Sequence, residues 1–148
     1  MGLSISKETS LSALIEWRKE VIRNVFGEDA DDELIAHNIE YLKAHIADGS
    51  HIAFVASTDG CECGCGAVCL YDEMPSPDNH SGHCAYIMNI YVRPKYRNQG
   101  VAHQIVRHLI EEAHKHQCDK IYLETTAKAR ELYRSLGFDD MPDMMKYK

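Results

Sequence analysis

Six consecutive residues, Arg97-Asn98-Gln99-Gly100-Val101-Ala102, carry the clearest chemistry in this chain. An apolar stretch from Ala85 to Val92 precedes them, closed by Arg93-Pro94. After them, apolar residues recur at helical spacing: Val101, Ala102, Ile105, Val106, Leu109, Ile110 and Ala113. That order reads as a strand, a glycine turn and a helix start. A helix start presents unpaired N–H groups and the positive end of the macrodipole, so it suits an anion. Gly100, with no Cβ, lets such an anion approach the backbone. Charge agrees, since no Asp or Glu occurs from Asn79 to Ile110 while Arg93, Lys95, Arg97 and Arg107 do, in a chain of net charge −7. The expected ligand is a phosphate group. No Lys-Ser/Thr pair follows the glycine, which excludes the P-loop of nucleotide hydrolases, and the G-x-G-x-x-G dinucleotide fingerprint is missing.

The stretch resembles the acyl-coenzyme A pyrophosphate loop, R/Q-x-x-G-x-G/A, of the GNAT superfamily of N-acetyltransferases. Its flanks, Ile90-Tyr91-Val92-Arg93-Pro94-Lys95-Tyr96 before it and Leu132-Tyr133-Arg134-Ser135-Leu136-Gly137-Phe138 after it, stand in the order and spacing of that family. The resemblance is strong from Gly66 to Phe138 and weaker up to Ser50. It implies an α/β (α+β) fold, a mixed and mostly antiparallel sheet with splayed parallel central strands and flanking helices. It also implies acetyl-coenzyme A as co-substrate, no metal, and direct attack on the acetyl group by a primary amine of a small molecule or peptide.

The resemblance further implies roles for particular residues. Backbone N–H groups from Asn98 through Gln99, Gly100 and Val101 to Ala102 hold the pyrophosphate, with Arg97 at the head of the loop. The backbone of Ile90, Tyr91 and Val92 lies along the pantetheine as an added strand would. The Ile90 N–H faces the thioester carbonyl, where a donor aimed at the developing oxyanion contributes on the order of 3 kcal/mol. Tyr133, four residues before Gly137, takes the place of the proton donor to the leaving thiolate. A phenol with a reference pKa of about 10 is protonated at neutral pH and can donate. The chain departs from the family at Thr126, where many relatives carry an Asn that contacts the cofactor. No side chain stands out as the base; Glu73, His83 and Glu124 are the candidates, and Tyr86, Met88 and Ile90 are expected to share the face of the central strand towards the site.

The elements that must position these groups follow from periodicity and punctuation. Leu3 to Ser6 alternates as a short first strand. Thr9 or Ser10 caps a helix ended by Gly27, and Asp31 or Asp32 starts a second, ended by Gly49. In GNAT proteins this helix pair walls the acceptor pocket, so Trp17, Arg18, Phe26, His37 and Tyr41 are lining candidates. His51 to Ala56 and Gly66 to Tyr71 read as strands on either side of an Asp59-Gly60 turn. Glu73 to Gly82 is a loop by its Pro, Gly and Asn content. After the glycine-started helix come a strand at Lys120 to Glu124, parallel to the central one, a helix at Lys128 to Leu136, and a last strand at Met144 to Tyr147.

At 148 residues, 45% hydrophobic and 26% charged, the chain reads as a single domain over residues 1–148 with one substantial core. The acidic balance opposes general nucleic-acid binding. No apolar run approaches the ~20 residues of a membrane span. Met1-Gly2 with Ser6 fits a permissive myristoylation pattern, but the start of a strand is the preferred reading. Six cysteines without a secretory signal point to reduced thiols and a cytoplasmic protein. A homodimer is compatible with the family. Cys61, Cys63 and Cys65, at alternate positions, would line one face of a strand, which supplies the rival function: a non-catalytic acyl-coenzyme A-binding or metal- and redox-sensing module.

Overall fold

The computed structural model describes residues 2–148, so Met1 of the myristoylation pattern lies outside the described residues. Five strands form one sheet in sequence order: β1 (Leu3–Glu8), β2 (His51–Thr58), β3 (Cys61–Asp72), β4 (His83–Val92) and β5 (Lys120–Leu123). The first four are antiparallel; β5 runs parallel to β4. β1 and β5 are therefore the edge strands among the described residues, and the parallel pair lies at one side of the sheet. Met144 to Tyr147 forms no strand, and Met144, Met145 and Tyr147 are exposed. A short segment becomes a strand only by pairing, and Met144 to Tyr147 pairs with no strand of the sheet.

Helices α1 (Leu11–Val21) and α2 (Asp32–Ala47) cover one face of the sheet; α3 (Val101–Lys115) covers the other. Local chemistry sets their ends. The Ser10 side chain accepts from Ala13 N–H and that of Asp31 from Leu34 N–H, while a π-helical turn, Ile22–Phe26, ends at left-handed Gly27. On the α3 face, Phe54, Val68, Ala85 and Ile87 meet Ile105, Val106 and Leu109. On the α1–α2 face, Ala53 and Ala67 pack with Leu14, Ile15 and Leu42, and Val55 and Cys65 with Trp17 and Val21. The short helix α4 (Arg130–Ser135) adds Tyr133 to the α3-side core. Among the described residues, no helix is long and apolar enough to cross a membrane.

Two bulges alter which residues share a face. Ala67 pairs with Met88 and Cys65 with Tyr91, so Gly66 alone opposes Asn89 and Ile90. Asn89 takes φ 60°, a left-handed conformation that asparagine tolerates. Met88 consequently packs on the α1–α2 side but Ile90 on the α3 side, against the expectation that Tyr86, Met88 and Ile90 share a face. A second shift, between Ala56 and Ser57, leaves Cys63 unopposed. Cys63 joins the α3-side core and Cys65 the α1 side. The shared face on which a cysteine site depended is absent.

Candidate active site

The Arg97–Ala102 segment makes the turn that its composition indicates. Asn98 and Gly100 hold φ values of 62° and 81°, and the first bond of the α3 ladder runs from Gln104 N–H to the Gly100 carbonyl at 3.1 Å. The N–H groups of Val101, Ala102 and His103 precede that ladder, and no side chain caps them. A Cβ built on Gly100 would meet nothing within 4 Å, so the space in front of the helix is open. These features fit a bound diphosphate.

The surrounding cations divide. Arg93 chelates both carboxylate oxygens of Glu20 at 2.9 Å and lies 4.4 Å from the Trp17 ring centroid, which removes it from the phosphate-binding group. Arg97 folds back: its Nε donates to the Val92 carbonyl at 2.8 Å, and its guanidinium stands 5.7 Å from the Tyr91 ring. The side chain of Gln99 likewise serves the turn, donating to the Lys95 carbonyl at 3.3 Å.

Beside this mouth, β4 and β5 part. Their pairing ends at Ile87 with Leu123, while β4 continues through Ile90, Tyr91 and Val92, which pair on their other edge with β3 around Cys65 and Gly64. A cavity of about 1080 Å³ lies along β5, α4 and the chain beyond it, and Tyr86, Glu124 and Tyr133 line it. Tyr133 is 8% exposed, its hydroxyl has no protein partner among the described residues, and burial raises its pKa. It is thus a protonated phenol with an uncommitted O–H. Thr126 is exposed, and its hydroxyl accepts from Ala129 N–H at 3.3 Å. Of the candidate bases, Glu73 is held by Lys120 and Asn79, and His83 by Asp72. Glu124 accepts from the Tyr86 hydroxyl at 2.6 Å and pairs with no cation among the described residues.

A second, smaller pocket of about 230 Å³ lies between α1, α2 and the sheet. Trp17, Arg18 and Tyr41 line it as expected; Phe26 and His37 are exposed and do not. Met88, expected on the site-facing side of the central strand, also lines it, as do Asn38, His51 and Asn89, which the sequence reading passed over. Asn89 was the visible signal, a polar residue inside an otherwise apolar run.

A model described as the acetyltransferase (GNAT) family matches residues 11–138. A thialysine N-epsilon-acetyltransferase from Bos taurus is 32% identical over 65 residues, 42% of this chain and 38% of that protein. A [ribosomal protein bS18]-alanine N-acetyltransferase from Escherichia coli K12 is 39% identical over 59 residues, 38% of this chain and 40% of that one. The matched stretch thus spans about two fifths of the length of these relatives. Among solved structures, a predicted acetyltransferase from Clostridium acetobutylicum, crystallised with acetyl-CoA, superposes with a TM-score of 0.89 at 22% identity, covering 99% of this chain and 96% of that one.

Proposed function

The chain belongs to the acetyltransferase (GNAT) family, and from that premise we propose that it transfers an acetyl group from acetyl-coenzyme A to a primary amine. Acetyl-coenzyme A supplies the activated acyl carbon and the leaving thiolate. The unpaired N–H groups leading into α3 bind its diphosphate, and the edge of Ile90, Tyr91 and Val92 that faces away from β3, where Arg97 holds the Val92 carbonyl, aligns its pantetheine along the β4–β5 opening. The Ile90 N–H then stabilises the oxyanion as the amine nitrogen bonds to the acetyl carbon. The carbon–sulfur bond breaks, and Tyr133 gives its phenolic proton to the sulfur. Glu124, the candidate base free of a cation, takes the proton released by the nitrogen.

The observation that carries this reading is the run of uncapped N–H groups at a glycine mouth with open space before it. The test is equilibrium titration with acetyl-coenzyme A, followed by thiol release with a panel of amines. Gly100→Val places a side chain in that open space and strains a backbone held at φ 81°, at a cost of roughly 1–2 kcal/mol. It should abolish acetyl-coenzyme A binding while circular dichroism remains native. Retained affinity would refute the loop assignment.

A further inference from the structure

The smaller pocket contains a cation with no countercharge. Arg18, half-buried on α1, donates from Nε to Asn38 Oδ1 at 3.2 Å and from Nη1 to Asn89 Oδ1 at 2.6 Å. No carboxylate among the described residues pairs with it. The ionisable groups that act on it electrostatically are Cys65, Cys69, Tyr86 and His51, and burial keeps each in its neutral form, raising the pKa of the thiols and the phenol and lowering that of the imidazole. Elsewhere, Arg23, Arg93, Arg130 and Arg134 each close an ion pair, and Arg97 and Arg107 stand exposed. A guanidinium removed from water without an anion is costly.

The fork is nevertheless held in place. Asn38 Nδ2 donates to the Leu34 carbonyl at 2.9 Å, which fixes its Oδ1 towards Arg18. Asn89 reaches Arg18 from the left-handed bulge of β4, a backbone conformation held at some cost. Two neutral amides thus orient the guanidinium, and Nη2 has no partner among the described residues. One guanidinium with no lysine lining the pocket suits a carboxylate, which the unpartnered Nη2 is placed to engage by a charge-assisted hydrogen bond.

We propose that this pocket binds the carboxylate of the acceptor on Arg18, which makes the substrate a small amino carboxylate whose amine points along β4 towards the opening beside β5. Met88 lines the pocket, and Tyr86, two residues earlier on β4, donates its hydroxyl to Glu124 in the larger cavity. A volume of about 230 Å³ limits the bound portion to the size of an amino acid. The identity of the substrate rests on the acetyl-transfer reading; the carboxylate subsite does not.

Trp17 is the chain's single tryptophan and lines this pocket, so its fluorescence reports occupancy directly. The proteinogenic amino acids are titrated beside their decarboxylated partners, such as cadaverine against lysine and histamine against histidine. At least one amino acid should give a saturable change, and its amine partner should bind at least tenfold more weakly. Arg18→Gln should weaken the amino acid by roughly 10²-fold and its amine partner by less than threefold, with Arg18→Lys recovering part of the loss. The proposal is overturned if no amino acid saturates, if amine and amino acid bind alike, or if Arg18→Gln weakens both equally, as a purely structural arginine would. Thiol release from acetyl-coenzyme A is measured alongside. Amino-acid binding without acetyl transfer removes the enzyme and keeps the subsite, whereas transfer to amines regardless of carboxylate does the reverse.

Discussion

Two side chains show how burial assigns a protonation state. Tyr133 has an unpartnered hydroxyl in a desolvated setting, so it stays protonated through neutral pH and has a proton to give. Tyr133→Phe keeps the ring on Phe138, whose centroid is 6.0 Å away, and deletes only the donor. Turnover should fall roughly 10²-fold with acetyl-coenzyme A affinity unchanged; steady-state kinetics beside equilibrium binding decide it, and unchanged kcat ends the acid role. His51 is the opposite case. Burial, helped by the charges of His45 and Arg18, pulls its pKa from 6.5 down to about 4, and Tyr41 Oη lies 3.0 Å from its Nδ1. Between those two values the unfolded chain binds a proton that the native protein refuses. Stability is therefore lost as pH falls from 6.5 towards 4, by up to about 3 kcal/mol. Urea unfolding at pH 7 and pH 4.5 should show that loss, and His51→Gln should flatten it; parallel losses in both proteins would exclude His51 as its source.

α3 crosses β3 closely at Gly66. A Cβ on Gly66 would come within 2.6 Å of Ile105 Cγ2 and of Ile90 Cδ1, so the absent side chain sets the distance between helix and sheet. Gly66→Ala should overpack this contact, costing about 1–3 kcal/mol and lowering the melting temperature. Because α3 also carries the mouth proposed to bind the diphosphate, acetyl-coenzyme A affinity should fall with it. An unshifted melting temperature would mean that the helix can slide. The same elements divide what was legible in the sequence from what was not. The ends of α1 and α2, the Asp59-Gly60 turn and the mouth of α3 were legible, since caps and left-handed turns are written within a few residues. The bulges at Asn89 and Cys63 were not, because an extra residue is defined only against the partner strand. Ile90 and Cys63 were consequently assigned to the wrong faces, and Arg18 was named as a lining residue without the two amides that orient it.

At the scale of the molecule, the sheet separates two tasks. Its α3 side and the β4–β5 opening carry the proposed cofactor site, while the α1–α2 side holds the small pocket; β4 is common to both, and the Asn89 bulge turns one strand towards each. This division leaves the cysteines to the core. Cys63, Cys65, Cys84 and Cys118 are buried, Cys69 is partly covered beside Tyr41, and Cys61 alone is exposed. Burial raises the pKa of all but Cys61, that of Cys65 to about 12, so these thiols lack both access and thiolate character. Titration of the native protein with a chromogenic disulfide should therefore release one equivalent rapidly and a second slowly from Cys69. The remaining four should react only as fast as the fold opens, and added denaturant should accelerate them in step with global unfolding. Cys61→Ser should remove the rapid phase and leave acetyl transfer intact. Three thiols reacting together in the native state would instead mean that Cys61, Cys63 and Cys65 share an accessible face, and the sensing alternative would regain the geometry that the β3 bulge denies it.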